Sequence, residues 1–410
     1  MKPSNAIPVK TSERHAILDI LRGLALLGIA LANFPEFSLY SFLPTEVAIA
    51  MPTAGVDRIV RYLQYIFIDG KFYTIFSLLF GIGFSIIIAN ASKKGANGFR
   101  IFYRRMLILL LIGFLHLMFL WSGDILMLYA LLGMLLPIFR NASNRSLLVW
   151  AFIFMAIPIA VDFTIELYGI YPSASVVELQ QFYCNKYGIT NENFAYWLRD
   201  AEHYNETFKF LIQGALVRIQ EFIDGNRYFK VMGLFLLGFY IGKNRLYANL
   251  SGIMPQLKRI AHYGFIVGLP LSFIYAWSAM NGHPWGLGTH AVLYFFSVFP
   301  LGFAYVATIC LCYLRHPQWK GFRFLALPGR MALTNYIGQS AFGMLLFYGI
   351  GLGFGANVGL VYVVFIASAI WLTEAALSGI WLHFCQFGPL EWIWRMLTYG
   401  KRFRLTKRQD

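Results

Sequence analysis

Long runs of apolar residues, separated by short polar segments, follow one another along almost the whole chain. An α-helix needs roughly 20 apolar residues to cross the hydrocarbon core of a bilayer. Because every backbone polar group in lipid must be paired within its own helix, these runs predict an all-α fold, a polytopic integral membrane helix bundle. The predicted transmembrane helices, about ten in number, cover residues 16–34, 65–90, 103–121, 124–139, 146–168, 228–243, 260–280, 289–314, 332–350 and 356–384.

Composition excludes a soluble globular protein of this length. Of the 410 residues, 58% are hydrophobic and only 13% are charged, which leaves too little polar surface for a soluble fold. No internal repeat or flexible linker is evident, so residues 1–410 are expected to form a single membrane domain.

One longer polar stretch interrupts the bundle, at about residues 170–227. Its second half, FKFLIQGALVRIQEFIDG, repeats apolar residues at near-helical spacing and predicts an amphipathic helix along the outer interface. Such a helix either packs over the bundle or forms a lid over a substrate entrance. The apolar positions that carry this pattern are Phe208, Leu211, Leu216, Ile219 and Phe222.

The distribution of positive charge along the chain predicts how the protein is oriented in the membrane. The chain carries a net charge of +15, and 24 of its 34 lysines and arginines fall in segments that share one side of the membrane with the N-terminus. Because positive residues in short loops are retained in the cytoplasm, both termini are predicted to be cytoplasmic. Topology and attraction to anionic lipid explain the charge, which gives no reason to propose nucleic acid as a partner. The N-terminus lacks a cleavable signal pattern, so the first helix is expected to be retained.

The first predicted helix, LDILRGLALLGIALANF, contains an acid, a base and an amide. Such groups are costly in hydrocarbon and usually face a bundle interior. Asp19 lies one turn before Arg22 and can pair with it, whereas Asn33 lies on the same side of the helix about 16 Å further along the axis. These residues either line a site or form an ion pair that locks the helix to its neighbours.

The third and fourth predicted helices form a hairpin in which His116 lies below the turn and Asp124 begins the fourth helix. A carboxylate beside a histidine fixes its tautomer and raises its basicity, which is typical of a general base. Asp124 at a helix start is equally explained as a cap for free backbone amides. The hairpin therefore allows either a catalytic dyad or a structural contact.

Other polar residues in the predicted spans are less specific. Asp69 and Lys71 stand at the outer start of the second helix, where interfacial anchoring is expected, and Glu374 should pair with a cation or a hydroxyl. Arg330, followed by Asn335, begins the ninth helix from the cytoplasmic face, a suitable place to hold phosphate groups. The four cysteines do not form a metal or disulfide pattern, and no metal is expected.

Five segments together resemble the YeiB-like family of bacterial membrane proteins, and the resemblance covers nearly the whole chain. The family in turn is similar to a distant branch of the transmembrane acyltransferase superfamily, which includes heparan-glucosaminide N-acetyltransferase. That link depends mainly on the first helix, where Leu18, Asp19, Arg22, Gly23 and Asn33 match an L-D-x-x-R-G…N pattern. The five segments are ERHAILDILRGLALLGIALANF, FIDGKFYTIFSLLFGIGFS, GFLHLMFLWSGDILMLYALLG, GRMALTNYIGQS and GPLEWIWRMLTYGK.

This resemblance implies an acyl-CoA-dependent O- or N-acyltransferase that passes an acyl group from cytoplasmic acyl-CoA or acetyl-CoA to a small-molecule, glycan or lipid acceptor on the outer side. Arg22 and Arg330, with Asp19 and Asn335 beside them, would bind the CoA. His116, oriented by Asp124, would be the general base, and Asn33 would hydrogen-bond the oxyanion. The chain departs from the heparan enzyme in one respect: the loop FPEFSLYSFLPTEVAIAMPTAG, where that enzyme carries its proposed catalytic histidine, contains none.

Two other classes of function fit the same residues. A transporter or exporter of a small anionic or amphipathic solute could use Arg22, Glu374 and His116 in a cavity with alternating access. A lipid-binding membrane protein without turnover would use its polar residues for assembly alone. In each case the expected location is the bacterial plasma (inner) membrane, with membrane lipids as partners and a homodimer as the default oligomer.

Overall fold

The computed structural model describes residues 15–93 and 95–407, which fold almost entirely into α-helices. The two extreme termini, predicted to be cytoplasmic, lie outside the described residues. Within the described part of the chain, no β-strand forms, and the all-α fold is confirmed. The helices are α1 (Ala16–Phe37), α2 (Thr45–Ala50), α3 (Ala54–Phe67), α4 (Lys71–Lys93), α5 (Gly98–Phe119), α6 (Leu126–Gly133), α7 (Asn144–Tyr168), α8 (Ala174–Tyr187), α9 (Trp197–Asp200), α10 (Tyr204–Asp224), α11 (Arg227–Lys243), α12 (Met254–Met280), α13 (Gly286–Arg315), α14 (Lys320–Arg330), α15 (Ala332–Phe347), α16 (Leu360–Phe384) and α17 (Pro389–Tyr399).

Seven helical segments among the described residues are long and apolar enough to cross a membrane: α1, α3 continued by α4, α5, α7, α12, α13 and α16. The other three predicted spans correspond to shorter helices, α6 with the 3₁₀ turn Leu136–Phe139, α11 and α15. A multi-pass membrane bundle is therefore supported, and about ten crossings are consistent with it.

Two of the predicted boundaries that differ from the structure fall where the chain turns. The second predicted span began at residue 65, but the chain turns at Gly70, whose φ of 74° favours glycine, and α4 begins at Lys71. The last predicted span began at residue 356, whereas α16 begins at Leu360 after a glycine-rich loop. In both places the apolar pattern runs on through a turn that only the backbone conformation reveals.

The bundle has two ends, named here by what they carry. The tail end holds the beginning of α1 together with α14 and α17. The loop end holds residues 38–70 and 169–226, including α8, α9 and α10. Since successive long helices run in opposite directions, both ends of the bundle receive side chains from helices distant in sequence. Which end faces the cytoplasm stays a prediction.

Helix α10 covers the loop segment for which the sequence predicts an amphipathic helix. Its buried side chains include Phe210, Leu211 and Arg218, whereas Ile219 is 43% exposed. The face of α10 that is buried therefore differs from the face formed by the predicted apolar residues. Arg218 faces inward, where its guanidinium bonds to the Ser122 carbonyl and to Glu36.

Glycines allow the closest helix contacts. A side chain at Gly81 of α4 would strike the backbone carbonyl of Phe235 on α11, and one at Gly238 would strike the carbonyl of Leu78. Beside this crossing, Phe80 stacks on Phe235 with ring centroids 4.4 Å apart. Backbones approach this closely only where a small residue leaves room, so α4 and α11 are fixed together at the centre of the bundle.

Glycines also allow a close backbone contact between α1 and α14. A side chain at Gly23 would strike the carbonyl of Leu325, and one at Gly329 would strike the carbonyl of Asp19. This close contact brings Arg330, at the end of α14, to the helix that carries Arg22.

Gly81→Ala should destabilise the protein by about 1–3 kcal/mol, because the new methyl group overpacks the α4–α11 contact. Thermal unfolding in detergent, followed by size-exclusion chromatography, measures the effect. Gly83→Ala on the same helix is the matched control, since a methyl group there meets open space. Equal midpoints for the two variants would contradict the proposed role of this crossing.

Candidate functional site

A cavity of about 720 Å³ extends through the bundle from the tail end to the loop end. Its wall receives side chains from most of the long helices, including α1, α4, α5, α11 and α13. Charged residues gather at both ends of this cavity, and aromatic and aliphatic residues lie between them. The arrangement places polar groups of a membrane protein around an internal space rather than against lipid.

Four arginines line the tail end of the cavity: Arg22, Arg105, Arg330 and Arg395. They are called the tail-end arginines below. Arg22 donates a hydrogen bond to Asp19 at 2.8 Å, so the predicted ion pair of the first helix is present. The guanidinium of Arg105 lies 3.5 Å from the ring centroid of Trp394, a cation–π contact that holds it in place.

One acidic residue, Glu391, also lines this part of the wall. It accepts hydrogen bonds from the backbone amides of Leu333 and Thr334 at 2.7 and 3.1 Å and from the Thr334 hydroxyl at 2.6 Å. Its carboxylate thus caps the start of α15. On the described part of this wall, four guanidinium groups thus stand near one carboxylate, and arginine forks suit phosphate groups.

The middle of the cavity is apolar. Ile29, Phe76, Phe80, Met106 and Leu126 contribute side chains here from four helices. A segment this apolar accommodates a hydrocarbon or other uncharged chain and excludes a free ion.

At the loop end, Arg218 of α10 connects three elements. Its guanidinium donates to the Ser122 carbonyl at 3.0 Å and to Glu36 of α1 at 3.3 Å, and it pairs with Glu221 at 2.6 Å. Arg218 and Glu36 both line the cavity. This contact fastens α10 across the loop end of the space.

Further ionisable and hydroxyl groups surround the loop end. The Tyr275 hydroxyl donates to Asp69 at 2.5 Å, and the hydroxyls of Tyr73 and Tyr294 share a hydrogen bond at 2.5 Å. Other groups on this part of the wall are Asn33, Asp162, Asp224, Arg227, Lys230, His283 and His290.

Two histidines stand together on this wall. The rings of His283 and His290 are 4.0 Å apart, and Nδ1 of His290 lies 3.0 Å from the Ser278 hydroxyl. Burial lowers the pKa of His283 below its ordinary value, which favours the neutral imidazole in the turn before α13. If Nδ1 of His290 donates to Ser278, its other ring nitrogen carries the lone pair and can accept a proton.

Of the residues predicted for the site, Arg22, Asn33, Asp69 and Arg330 line the cavity. The other six do not belong to its wall. Asp19 lies directly behind Arg22 as its partner, and the remaining five are His116, Asp124, Asn335, Lys71 and Glu374.

His116 is buried with both ring nitrogens engaged. Nδ1 lies 2.9 Å from Asp124, and Nε2 lies 2.8 Å from the Ser340 hydroxyl. The second oxygen of Asp124 accepts the Met127 amide at 2.8 Å, as the helix-capping interpretation predicts. The dyad expected from sequence thus forms, but it joins α5, α6 and α15 and leaves no ring nitrogen for a substrate. Its geometry favours a structural role.

Two expectations need correction. Lys71 is fully buried and donates to the Tyr65 carbonyl at 2.6 Å, so it is not an interfacial anchor; the turn at Gly70 directs its side chain inward. Within residues 15–93 and 95–407, Glu374 accepts a hydrogen bond from the Gln339 amide at 3.0 Å and pairs with no cation or hydroxyl. Asn335 is also hydrogen-bonded inside the bundle, where it donates to the Pro328 carbonyl at 3.3 Å and to the Ser378 hydroxyl at 3.0 Å.

The sequence analysis missed several wall residues. Lys230 and Asp162 lie inside predicted spans and could have been found by the rule that singled out Asp19, because ionisable residues within a membrane usually face a cavity. Arg105 and Arg395 are among the 24 basic residues that the charge pattern assigned to the side of the N-terminus, outside the predicted site. Their inward direction depends on the docking of α17 against α5, where the Trp394 indole donates to the Arg105 carbonyl at 3.0 Å.

Comparison with known proteins gives relatives of similar length. Residues 241–401 match a family described as a protein of unknown function, DUF418. The chain is 29% identical to the uncharacterized protein YxaH of Bacillus subtilis over 413 residues, which covers 97% of each chain. It is 29% identical to an uncharacterized 39.9 kDa protein of Bacillus acidopullulyticus, covering 98% of this chain and 99% of the relative.

The relatives also include YeiB, the protein after which the family suggested by the sequence motifs is named. The chain is 27% identical to the uncharacterized protein YeiB of Escherichia coli over 426 residues, covering 94% of this chain and 96% of that one. No solved structure matches the chain. The resemblance recognised from the five sequence segments is therefore confirmed: the chain is similar over nearly its whole length to YeiB and to the two Bacillus proteins.

Proposed function

We propose that this protein is an acyltransferase of the bacterial plasma membrane that moves an acyl group from acyl-CoA at the tail end to an acceptor at the loop end. The cavity carries this proposal, because it joins a cluster of arginines to ionisable groups on the opposite side of the bundle. With the tail end in the cytoplasm, as the basic residues predict, donor and acceptor enter the same space from opposite sides. The first-helix pattern shared with transmembrane acyltransferases adds support.

The tail-end arginines suit the phosphates of acyl-CoA. Four guanidinium groups face one part of the wall, and the nearby Glu391 is occupied by backbone amides. Arginine binds phosphate through two parallel charge-assisted hydrogen bonds, which gives both affinity and orientation. The apolar middle of the cavity then takes the uncharged arm of the donor and its acyl group.

The transfer step joins the two ends. An acceptor hydroxyl or amine attacks the thioester carbonyl, the new C–O or C–N bond forms, and the C–S bond breaks. The acceptor proton passes to a histidine and then to the departing CoA thiolate. Asn33 of α1 lines the cavity about 16 Å along the axis from Arg22. In this proposal its amide donates to the oxyanion, and a donor of this kind is worth about 3 kcal/mol of barrier.

We assign the role of general base to His290 rather than to His116. His290 lines the cavity and is oriented through Nδ1 by Ser278, whereas His116 is saturated by Asp124 and Ser340. A general base must reach the proton that it removes. The wall position of His290 meets this requirement.

Transport of an anionic or amphipathic solute is the second candidate. The observation that favours it is the charge at both ends of one cavity, with α10 fastened over the loop end by Arg218. Uptake or efflux of such a solute by vesicles without any acyl-CoA would favour transport over transfer.

Arg330→Gln should weaken the binding of acetyl-CoA about ten- to a hundredfold, since a hydrogen bond to a charged group contributes about 1.5–3 kcal/mol. Calorimetric titration of the purified protein in detergent measures the affinity. The matched control is Arg323→Gln on the same helix, because Arg323 is exposed and bonds only to Gln318 among the described residues. Unchanged affinity in the Arg330 variant, or no binding by the native protein, would refute the donor site.

His290→Gln should lower acyl transfer by about 10²- to 10⁴-fold while leaving the affinity for acetyl-CoA unchanged, because only proton transfer is removed. Release of the free CoA thiol is the readout, with ethanolamine as surrogate acceptor. His116→Gln should instead lower the unfolding midpoint, since Asp124 and Ser340 lose a buried partner at a cost of about 1–3 kcal/mol. A folded His116 variant that binds acetyl-CoA without transfer would return the base to His116.

A further inference from the structure

The loop end of the cavity contains a second polar site, formed where α10 passes into α11. We propose that it binds a zwitterionic head group, in which an anionic group lies beside an ammonium group. The site is called the loop-end pocket and consists of Asp162, Asp224, Asn226, Arg227 and Lys230. Its role as the acceptor site rests on the proposed acyl transfer, whereas the binding itself does not.

The charges of this pocket face one space without forming close ion pairs with each other. Asp162, Asp224, Arg227 and Lys230 all line the cavity. Among the described residues, none of the four forms a salt bridge with an N···O distance of 4.0 Å or less. The Lys230 ammonium instead lies 4.0 Å from the ring centroid of Tyr294. Opposite charges held apart in this way leave hydrogen-bonding capacity that a ligand carrying both charges would use.

Two buried oxygen atoms point to the donor part of the ligand. Oδ1 of Asp224 and Oδ1 of Asn226 are buried without a hydrogen-bond partner in the described structure. Asn226 is fully buried, and its amide nitrogen donates to Asp162 at 2.6 Å. This bond fixes the amide, because a flipped side chain would set two acceptors against each other. Asp224 lines the cavity, and Asn226 adjoins it through its bond to Asp162, so both oxygens are acceptors to which an ammonium group could donate.

Arg227 and Lys230 supply the opposite half of the pocket. Both lie in the first turn of α11, where the free backbone amides and the helix dipole add positive potential. An anionic group fits here. Asn226 directly precedes Arg227 in the sequence. The acceptor oxygens of Asp224 and Asn226 and the cationic groups of Arg227 and Lys230 therefore belong to adjacent parts of the α10–α11 junction.

The combination selects the ligand class. A simple anion would leave Asp224 and Asn226 unpaired, and a simple amine would leave Arg227 and Lys230 unpaired. A zwitterion satisfies both sets at once. The head group comes either from a lipid or from a soluble molecule, since the pocket recognises the polar group alone.

Binding of O-phosphoethanolamine to the full-length protein in detergent, without acyl-CoA, tests this inference. We expect saturable binding that is stronger than that of inorganic phosphate or ethanolamine. Asp224→Asn and Arg227→Gln should each weaken it about tenfold or more. Asp200→Asn and Arg199→Gln are matched controls, because this pair lies at the same end of the molecule and is absent from the cavity wall.

The outcomes separate cleanly. Phosphate or ethanolamine alone binding as well as the zwitterion, or unchanged affinity in both pocket variants, would overturn the inference. Stronger binding of lysophosphatidylethanolamine would support a lipid source, and equal binding would support a soluble one. Absence of zwitterion binding beside intact, Arg330-dependent acetyl-CoA binding would reject this pocket while leaving the proposed function standing.

Discussion

Hydrocarbon cannot solvate a charge, and this constraint orders the whole structure. Every ionisable side chain within the bundle must be paired with another group, capped by backbone, or turned toward an internal space. The chain uses all three solutions. His116 with Asp124 and Ser340 is a closed buried network, and Glu391 caps α15. The tail-end arginines and the groups of the loop-end pocket face the cavity instead.

Close helix contacts determine where that space can exist. Glycines let α4 approach α11 and let α14 approach α1 until backbones touch. Helices held together at a few such points diverge elsewhere, and larger side chains do not fill all the volume between them. The contact of Gly23 with α14 also places Arg330 beside the tail end of α1. Packing and the site are thus consequences of the same glycines.

The two histidine clusters show why proximity alone does not identify a catalytic group. His116 has the carboxylate neighbour that a general base often has, yet its second nitrogen is bonded to Ser340, a residue 224 positions away in sequence. His290 lacks an acidic partner in sequence, but it stands on the cavity wall beside His283. A base is defined by access as much as by its neighbours. Access depends on which helices meet around it.

The sequence by itself determined the all-α membrane fold, the approximate spans, the resemblance to YeiB-like proteins and the ion pair of Asp19 with Arg22. These follow from local patterns, because the length of an apolar run and the spacing of one helical turn are properties of neighbouring residues. Only the tertiary structure decided which polar groups share a cavity. It placed Arg105 and Arg395 inward, enclosed His116 and Lys71, and brought Asp162 to Asn226 across the α7–α11 contact. The direction of a side chain within a bundle depends on the rotation and docking of each helix, which arise from contacts between residues far apart in the chain.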